Sequence, residues 1–415
     1  MLLIPKLRFP DYNNQKEWDA KSMETIFTIR NGYTPSKANP RFWENGNIPW
    51  FRMEDIRLNG HILSDSIQHV TPEAIKSKGL FPAYSIIVAT TATIGEHALI
   101  IVDSLANQQF TFLIKRKSFE KVIDMQYFHY YMFIVDDWCK KNTNSGGLLS
   151  VNMSAFKQLM IPYPIRLSEQ QKIAECLSSI DSYISSINEK VEQLKAHKKS
   201  LMQKLFPKRG QTVPECRFSE FKSSKGWEEK RLGDVTNVIN RRNKSNRSLP
   251  IYSISNKDGF ILQSEQFDGL DSESRGYDIS LYKIVGRNTF AYNPARINIG
   301  SIGYSGNLKE VLISSLYVCF KTTDELDDKF LICFLKTAQF NQAVENNVEG
   351  GIRSYLFYEN FSRIKIALPS LQEQKKIAST ILSIDDIISK YTDKVLLLED
   401  YKKGLMQQLF PTITK

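Results

Sequence analysis

The chain has 415 residues, enough for two or more domains with their own cores. An apolar content of 42% with 24% charged residues excludes a disordered chain, and a net charge of +10 suits a polyanionic partner. Five cysteines (Cys139, Cys176, Cys216, Cys319, Cys333) show no CxxC spacing, which fits neither a disulfide framework nor a zinc site. The N-terminal MLLIPKLRFP lacks an apolar signal segment, and no apolar run is long enough to span a membrane, so the expected compartment is the reducing cytoplasm.

The first unit opens with Ile4–Phe9, IPKLRF, followed by Trp18, Lys21 and a short amphipathic pattern over Met23–Ile29. Short β-like runs follow at Ser85–Ala89, Ala98–Val102 and Phe110–Ile114, punctuated by Gly, Asn and Pro. An aromatic-rich stretch predicts a helix over Met125–Lys141, before Gly146-Gly147. A last β-like run ends in Ile161-Pro162-Tyr163-Pro164.

A long helix is then predicted from Leu167 to Pro207. Its apolar positions are Ile173, Leu177, Ile180, Ile184, Ile187, Val191, Leu194, Leu201 and Leu205. They follow the 4-3 steps of a coiled-coil seam. Ser168, before Glu169 and Gln171, is a plausible start, and Phe206-Pro207 closes the helix because proline cannot continue it.

The pattern then starts again. VPECRF at Val213–Phe218 echoes IPKLRF, and Trp227 and Lys230 match Trp18 and Lys21, all at an offset of 209. The amphipathic pattern returns at Leu232–Ile239, with β-like runs at Thr289–Tyr292, Val311–Ile313 and Tyr317–Phe320. A helical stretch over Asp328–Glu345, Gly350-Gly351 and a run over Ile366–Pro369 complete the second unit. The second long helix, from Leu371 to Pro411, repeats the first at an offset of 204 without a gap. Its seam is Ile377, Ile381, Ile384, Ile388, Tyr391, Val395, Leu398, Leu405 and Leu409. Such a period is too long for a solenoid repeat and marks a duplicated half-protein.

The expected fold class is α+β: two pseudo-symmetric mixed α/β domains joined by two long antiparallel coiled-coil helices. The expected boundaries are 1–166, 167–207, 208–370 and 371–415. Lys198 and Lys402 occupy seam positions that call for a hydrophobe. Antiparallel pairing about residues 189 and 393 puts Lys198 beside Asp385 and Lys402 beside Asp181. Each lysine then either locks the register through an ion pair or runs its stem along the seam to water.

Catalytic signatures are missing. No GxxxxGK[ST] and no GxGxxG after a strand is present; Gly300, Gly303 and Gly306 suit a turn-rich loop better. Tyr292-Asn293-Pro294 begins like the Asn-Pro-Pro-aromatic box of amino-methyltransferases, but Ala295 replaces the second proline. The five histidines show no metal spacing, and Glu228-Glu229-Lys230 is too short a match to a nuclease ExK to carry weight. No catalytic or metal residue is assigned, and the chain reads as a binding protein. Candidate DNA contacts are Lys37, Arg41, Arg52, Thr90, Thr91, Thr93, Asn107 and Gln108 in the first unit. Those of the second are Arg241, Arg242, Lys244, Arg247, Asn256, Arg287, Asn293, Arg296 and Asn298. Arginine suits guanine, amides suit adenine, and lysine holds phosphate. The Arg241–Arg247 cluster is the strongest local charge signal.

With these blocks in view, the chain resembles the specificity (S) subunits of type I restriction-modification systems over essentially its whole length. The resemblance lies in LSEQQKIAECLSSID…LMQKLFP and LQEQKKIASTILSID…LMQQLFP, and in the PKLRF and PECRF openings. NGYTPSKANPRFW…IPWFRMEDI and AYNPARINIGSIGYSG add to it. The resemblance implies a non-catalytic subunit whose two target-recognition domains each read half of a bipartite DNA sequence. It implies long helices that pair antiparallel as a spacer and dock two modification (methyltransferase) subunits, with restriction subunits joining them. S-adenosylmethionine, ATP and magnesium then belong to the partners and no cofactor to this chain. The alternative is a coiled-coil scaffold whose flanking domains bind proteins.

Chain geometry independently favours the antiparallel arrangement. About 39 residues at about 1.5 Å each make a rod of roughly 58 Å. The link from Pro207 to Cys216 reaches at most about 35 Å, too short for the return that parallel helices require. Such a rod covers at most roughly 17 base pairs at about 3.4 Å each. Two different heads predict an asymmetric target.

Overall fold

The computed structural model describes residues 4–144, 149–348 and 355–411. The two Gly-Gly pairs lie outside the described residues. The chain divides into two units, residues 1–188 with 393–415 and residues 189–392, so each unit holds part of both long helices.

In the first unit a five-stranded sheet runs in the order Phe27–Asn31, Phe110–Lys115, Ser85–Ala89, His97–Ile100 and Ile62–Leu63. The first four strands are antiparallel and the last pair is parallel. The run SIIVA is buried throughout, and apolar from Ile86 to Ala89, because both of its faces are covered. Ile86 and Val88 join the core beneath helix Met125–Lys141, while Ile87 and Ala89 join a second core on the opposite face. Leu99 and Leu113 face the first core, and Ala98, Ile100 and Phe112 the second. This is the period-two alternation of a strand buried on both sides.

The second unit uses two four-stranded sheets. One orders Thr236–Ile239, Val318–Thr322, Phe290–Tyr292 and Ile302–Tyr304; the other orders Gly259–Leu262, Ile251–Ser255, Val311–Ile313 and Lys283–Val285. Alternation again splits the strands: Phe290, Tyr292 and Phe320 pack toward the helices, Ala291 and Cys319 away from them.

One local pattern is now given its form, and one expectation is corrected. The amphipathic patterns are each a one-turn helix followed by a strand, Met23–Ile26 into Phe27–Asn31 and Leu232–Val235 into Thr236–Ile239. The stretch Asp328–Glu345 is two helices, Asp328–Phe334 and Ala338–Asn347. Thr337 makes the break: its hydroxyl donates to Phe334 O at 2.7 Å and accepts from Phe340 N at 3.2 Å, capping the second helix. In the first unit Ile134 occupies the matching place, offers no such hydroxyl, and helix Met125–Lys141 continues.

The long helices span Leu167–Leu205 and Leu371–Leu409, with every seam residue named above buried or half-buried. Each last turn closes through a backbone bond, Phe206 N to Met202 O and Phe410 N to Met406 O, before the proline. Within the first unit, Lys402 Nζ lies 2.6 Å from Asp181 Oδ1, and Lys394 Nζ donates to Tyr183 Oη at 2.5 Å. Rising numbers meet falling numbers, so these helix segments are antiparallel. Within the second unit Lys198 Nζ binds Asp385 Oδ1, with Lys336 Nζ at 3.9 Å from Oδ2.

The base of each long helix is clamped in the same way. Arg8 meets the Glu169 carboxylate through Nε (2.7 Å) and Nη2 (2.8 Å); Arg217 meets Glu373 through Nε (2.8 Å) and Nη2 (2.7 Å). The next residue is a glutamine in both copies. Gln170 accepts from Asp124 N and donates to Val122 O and Pro164 O. Gln374 accepts from Asp327 N and donates to Glu325 O and Pro369 O. Strand pairs Asp19–Ser22 with Met160–Tyr163, and Glu228–Arg231 with Lys365–Leu368, lead directly into these clamps.

Candidate nucleic-acid interface

In the first unit, four loops meet at one end of the strands. Gly32 N donates to Phe110 O, Tyr33 N to Ala106 O, and Asn107 N to Phe51 O. The approach requires glycine at 32, since a Cβ there would stand 2.3 Å from Asn107 O. The cluster brings together several candidates. Gln108 accepts from Thr34 Oγ1 at 2.5 Å, and Asn107 exchanges bonds with Gln109. Thr90 shares a hydroxyl contact of 3.0 Å with Thr111, which donates to Asn31. Arg52 lies 5.8 Å from the Trp50 ring centroid and 3.5 Å from Glu54. Lys37 and Arg41 are exposed on the neighbouring segment, and Arg41 O accepts from Thr71 Oγ1. Thr90 is buried and supports the loop, while Thr91 and Thr93 are half-exposed. Asn31, Thr34 and Gln109 belong to the same network and were not among the expected residues; none is charged, and the NGYTP stretch that holds Asn31 and Thr34 marks neither apart from its neighbours.

The loop bearing Thr90, Thr91 and Thr93 rests on a buried polar pair. Gly95, at φ +83°, approaches so closely that a Cβ would lie 2.6 Å from Asp136 O. Just beyond it, His97 Nδ1 lies 2.6 Å from Asp136 Oδ2, and His97 Nε2 donates to His129 O at 3.0 Å. A neutral imidazole that donates through Nε2 accepts through Nδ1, so the carboxyl carries the shared proton. Burial acts the same way on both, pushing His97 down to about 3 and Asp136 well above the usual carboxylate range. The folded pair thus holds one proton. Unfolded, the two groups titrate near 6.5 and 3.8. Between those values the unfolded chain also holds one proton, and the pair adds no pH dependence. Above about 6.5 the unfolded chain holds none, so the pair's contribution should fall as the pH rises. Below about 3.8 the unfolded chain holds two, and the contribution falls toward acid. Urea midpoints of the wild type minus those of His97→Leu/Asp136→Leu, taken from pH 4 to 8, should show this plateau and alkaline decline.

In the second unit the candidates separate into groups. Asn293 N donates to Ser301 O, Arg296 N to Asn293 O, and Ser301 N to Arg296 O, folding residues 293–301 into one loop. Ser301 Oγ donates to Ile254 O, bringing that loop beside the strand that ends before Asn256. Asn256, Arg296 and Asn298 are exposed there, with Asn293 half-buried. No structural bond ties Arg287, also exposed, to this loop among the described residues.

The Arg241–Arg247 cluster differs from its reading as a free basic patch. Glu310 takes both ends of it: Arg241 Nη1 binds Oε1, and Arg247 Nη1 lies 2.6 Å from Oε2. These bonds, Arg247 first, hold the Glu310 carboxyl below its ordinary range. Asn243 is buried and fastens the turn through Arg247 N and Arg247 O. Arg242 and Lys244 remain exposed. Glu310 lies 63 residues beyond Arg247 and carries no local signal of this role.

The comparisons with known proteins follow this architecture. The family model described as type I restriction modification DNA specificity domain matches twice, over residues 15–196 and 224–397. The chain is 45% identical to the Escherichia coli type I restriction enzyme EcoprrI specificity subunit over 174 residues, which is 42% of each chain. It is 25% identical to the Methanocaldococcus jannaschii MjaIX specificity subunit over 417 residues, covering 95% of this chain and 93% of that protein. Among solved structures, the S subunit from M. genitalium aligns at a TM-score of 0.57 and 16% identity, over 99% of this chain and 100% of that one. A chain from a study of type I R-M complex assembly aligns at 0.54 and 14% identity, over 94% and 96%. No helix among the described residues is long and apolar enough to cross a membrane.

Proposed function

The chain belongs to the type I restriction-modification DNA specificity family, and we propose that its two units read the two halves of an asymmetric, bipartite DNA target. One observation carries this reading: the same clamped frame occurs twice, while the loops it presents differ in sequence, charge and connection. Direct contacts come from the exposed members of the two loop clusters, and the buried members hold those loops. The long helices set the distance between the half-sites. They also dock two modification (methyltransferase) subunits, to which restriction subunits add. The chain itself is non-catalytic within a cytoplasmic assembly; S-adenosylmethionine, ATP and magnesium are used by the partners.

Methylome sequencing of cells carrying this chain with modification subunits tests the reading. It should show one motif with two unlike half-sites and a fixed gap; a palindromic or continuous motif contradicts it. Duplex binding should weaken steeply with salt, since phosphate contacts release counterions. Binding insensitive to salt would favour the protein-binding scaffold. Arg296→Ala should cost about 1–3 kcal/mol of specific binding. Arg241→Ala should cost less, because Glu310 already neutralises that side chain. Glu310→Gln should instead tighten DNA binding and steepen the salt slope by up to about 2, by releasing two arginines. Fluorescence anisotropy across a salt series reads all three.

A further inference from the structure

A cleft of about 910 Å³ lies within the second unit. Its walls are the second part of helix Leu167–Leu205 and the start of helix Ala338–Asn347, and Asp385 and Ile388 complete it. Six lysines line it against two carboxylates, Glu215 and Asp385. Asp385 is already taken by Lys198 and Lys336, and Lys195 is paired with Glu192. Lys199, Lys204 and Lys208 make no ion pair among the described residues, and all three are exposed. The first turn of helix Ala338–Asn347 adds positive potential on the opposite wall. Between the lysines lie half-buried Met202 and Ile388, next to the buried Phe206 of the core.

The duplication provides an internal comparison. At the matching places the first unit has Glu399 for Lys195, Gln408 for Lys204, and Phe133 for Lys336. Phe133 packs under Lys402, its ring centroid 5.3 Å from Nζ, where Lys336 instead reaches toward Asp385. The frame is shared, but at these three positions only the second unit carries lysine.

We propose that this cleft docks an acidic segment of another polypeptide that carries apolar anchor residues, once per chain. Carboxylates meet the unpaired lysines, and an apolar side chain covers Met202 and Ile388. A DNA backbone satisfies the lysines but leaves that apolar surface uncovered, so the combination favours a peptide. The consequence is an asymmetric assembly: a partner that uses such a segment binds the second unit and not the first.

The test uses the full chain and a fluorescent twelve-residue peptide of alternating Glu-Glu-Leu triplets. The expected result is saturable binding at one peptide per chain. Lys199→Glu/Lys204→Glu/Lys208→Glu should weaken it by about tenfold or more. Lys403→Glu, the first-unit counterpart of the change at Lys199, should leave it unchanged, and circular dichroism checks that both variants are folded. A peptide with Ser in place of Leu should bind much more weakly. Equal binding of the Ser peptide, two peptides per chain, or no effect of the triple variant overturns the proposal. Displacement of the peptide by a short non-specific duplex would reassign the cleft to nucleic-acid phosphate and overturn it as well.

Discussion

Replacing Glu373 by alanine should destabilise the second unit by about 3–5 kcal/mol, because it leaves a buried guanidinium without its counter-charge. Arg217 and Glu373 side chains are 7% and 1% exposed, so water cannot replace the lost carboxylate. The Arg217 fork is also committed elsewhere, donating to Ser224 O at 2.9 Å and Lys225 O at 3.0 Å. The guanidinium therefore cannot swing out without releasing the segment that leads to strand Glu228–Arg231. Glu169→Ala should cost more in the first unit. Glu169 accepts from both nitrogens of Arg8 and also from Trp18 Nε1 at 3.2 Å, whereas Trp227 Nε1 has no hydrogen-bond partner among the described residues. Hydrogen exchange resolved by peptide should show the faster exchange over residues 213–231 and the base of helix Leu371–Leu409 in the Glu373 variant. Unchanged exchange there would mean that the ion pair does not hold the head to its helix.

The clamp also shows what could be read without coordinates. PKLRF and LSEQQ stood out as repeated blocks, but their purpose is to meet each other across 161 residues. A signal was present: an arginine repeated at an offset of 209 and a glutamate at 204, opposite charges duplicated together. The long helices were legible because burial along them follows a single 3.5-residue period, and helix Met125–Lys141 because its aromatic face is continuous. Strands such as Ser85–Ala89 and Val311–Ile313 were legible because both faces are covered, which leaves an apolar run, unbroken from Ile86 in the first and over the whole of the second. Three features were not. The break at Thr337 depends on one hydroxyl competing with the helix backbone. The neutralisation of Arg241 and Arg247 depends on a distant glutamate. The His97–Asp136 pair is a contact between a strand and a helix that no spacing announces. The candidate DNA residues were named from turn-rich stretches, and the loops that fold together include uncharged members which only backbone proximity selects.

Lengthening both long helices by one heptad should widen the gap between the two half-sites of the DNA target by about 3 base pairs, since seven residues add about 10 Å. The ion pairs say where the insertion must go. Lys198 follows Asp181 by 17 residues, and Lys402 follows Asp385 by 17. Both pairs form together in antiparallel helices only while these two intervals stay equal. An insertion between Asp181 and Lys198 must therefore be matched by one between Asp385 and Lys402; placed near Asn188 and Thr392, each falls between the pairs. Seven residues preserve the 3.5-residue seam, whereas four would rotate everything beyond the insertion by about 40° and take Lys198 away from Asp385. A heptad in only one helix should disrupt one pair or force a bulge, with loss of modification at any spacing. Methylome sequencing reads the outcome directly. A doubly extended chain that still modifies the original spacing would show that the helices do not measure the DNA, and that the gap is set by the partner subunits instead.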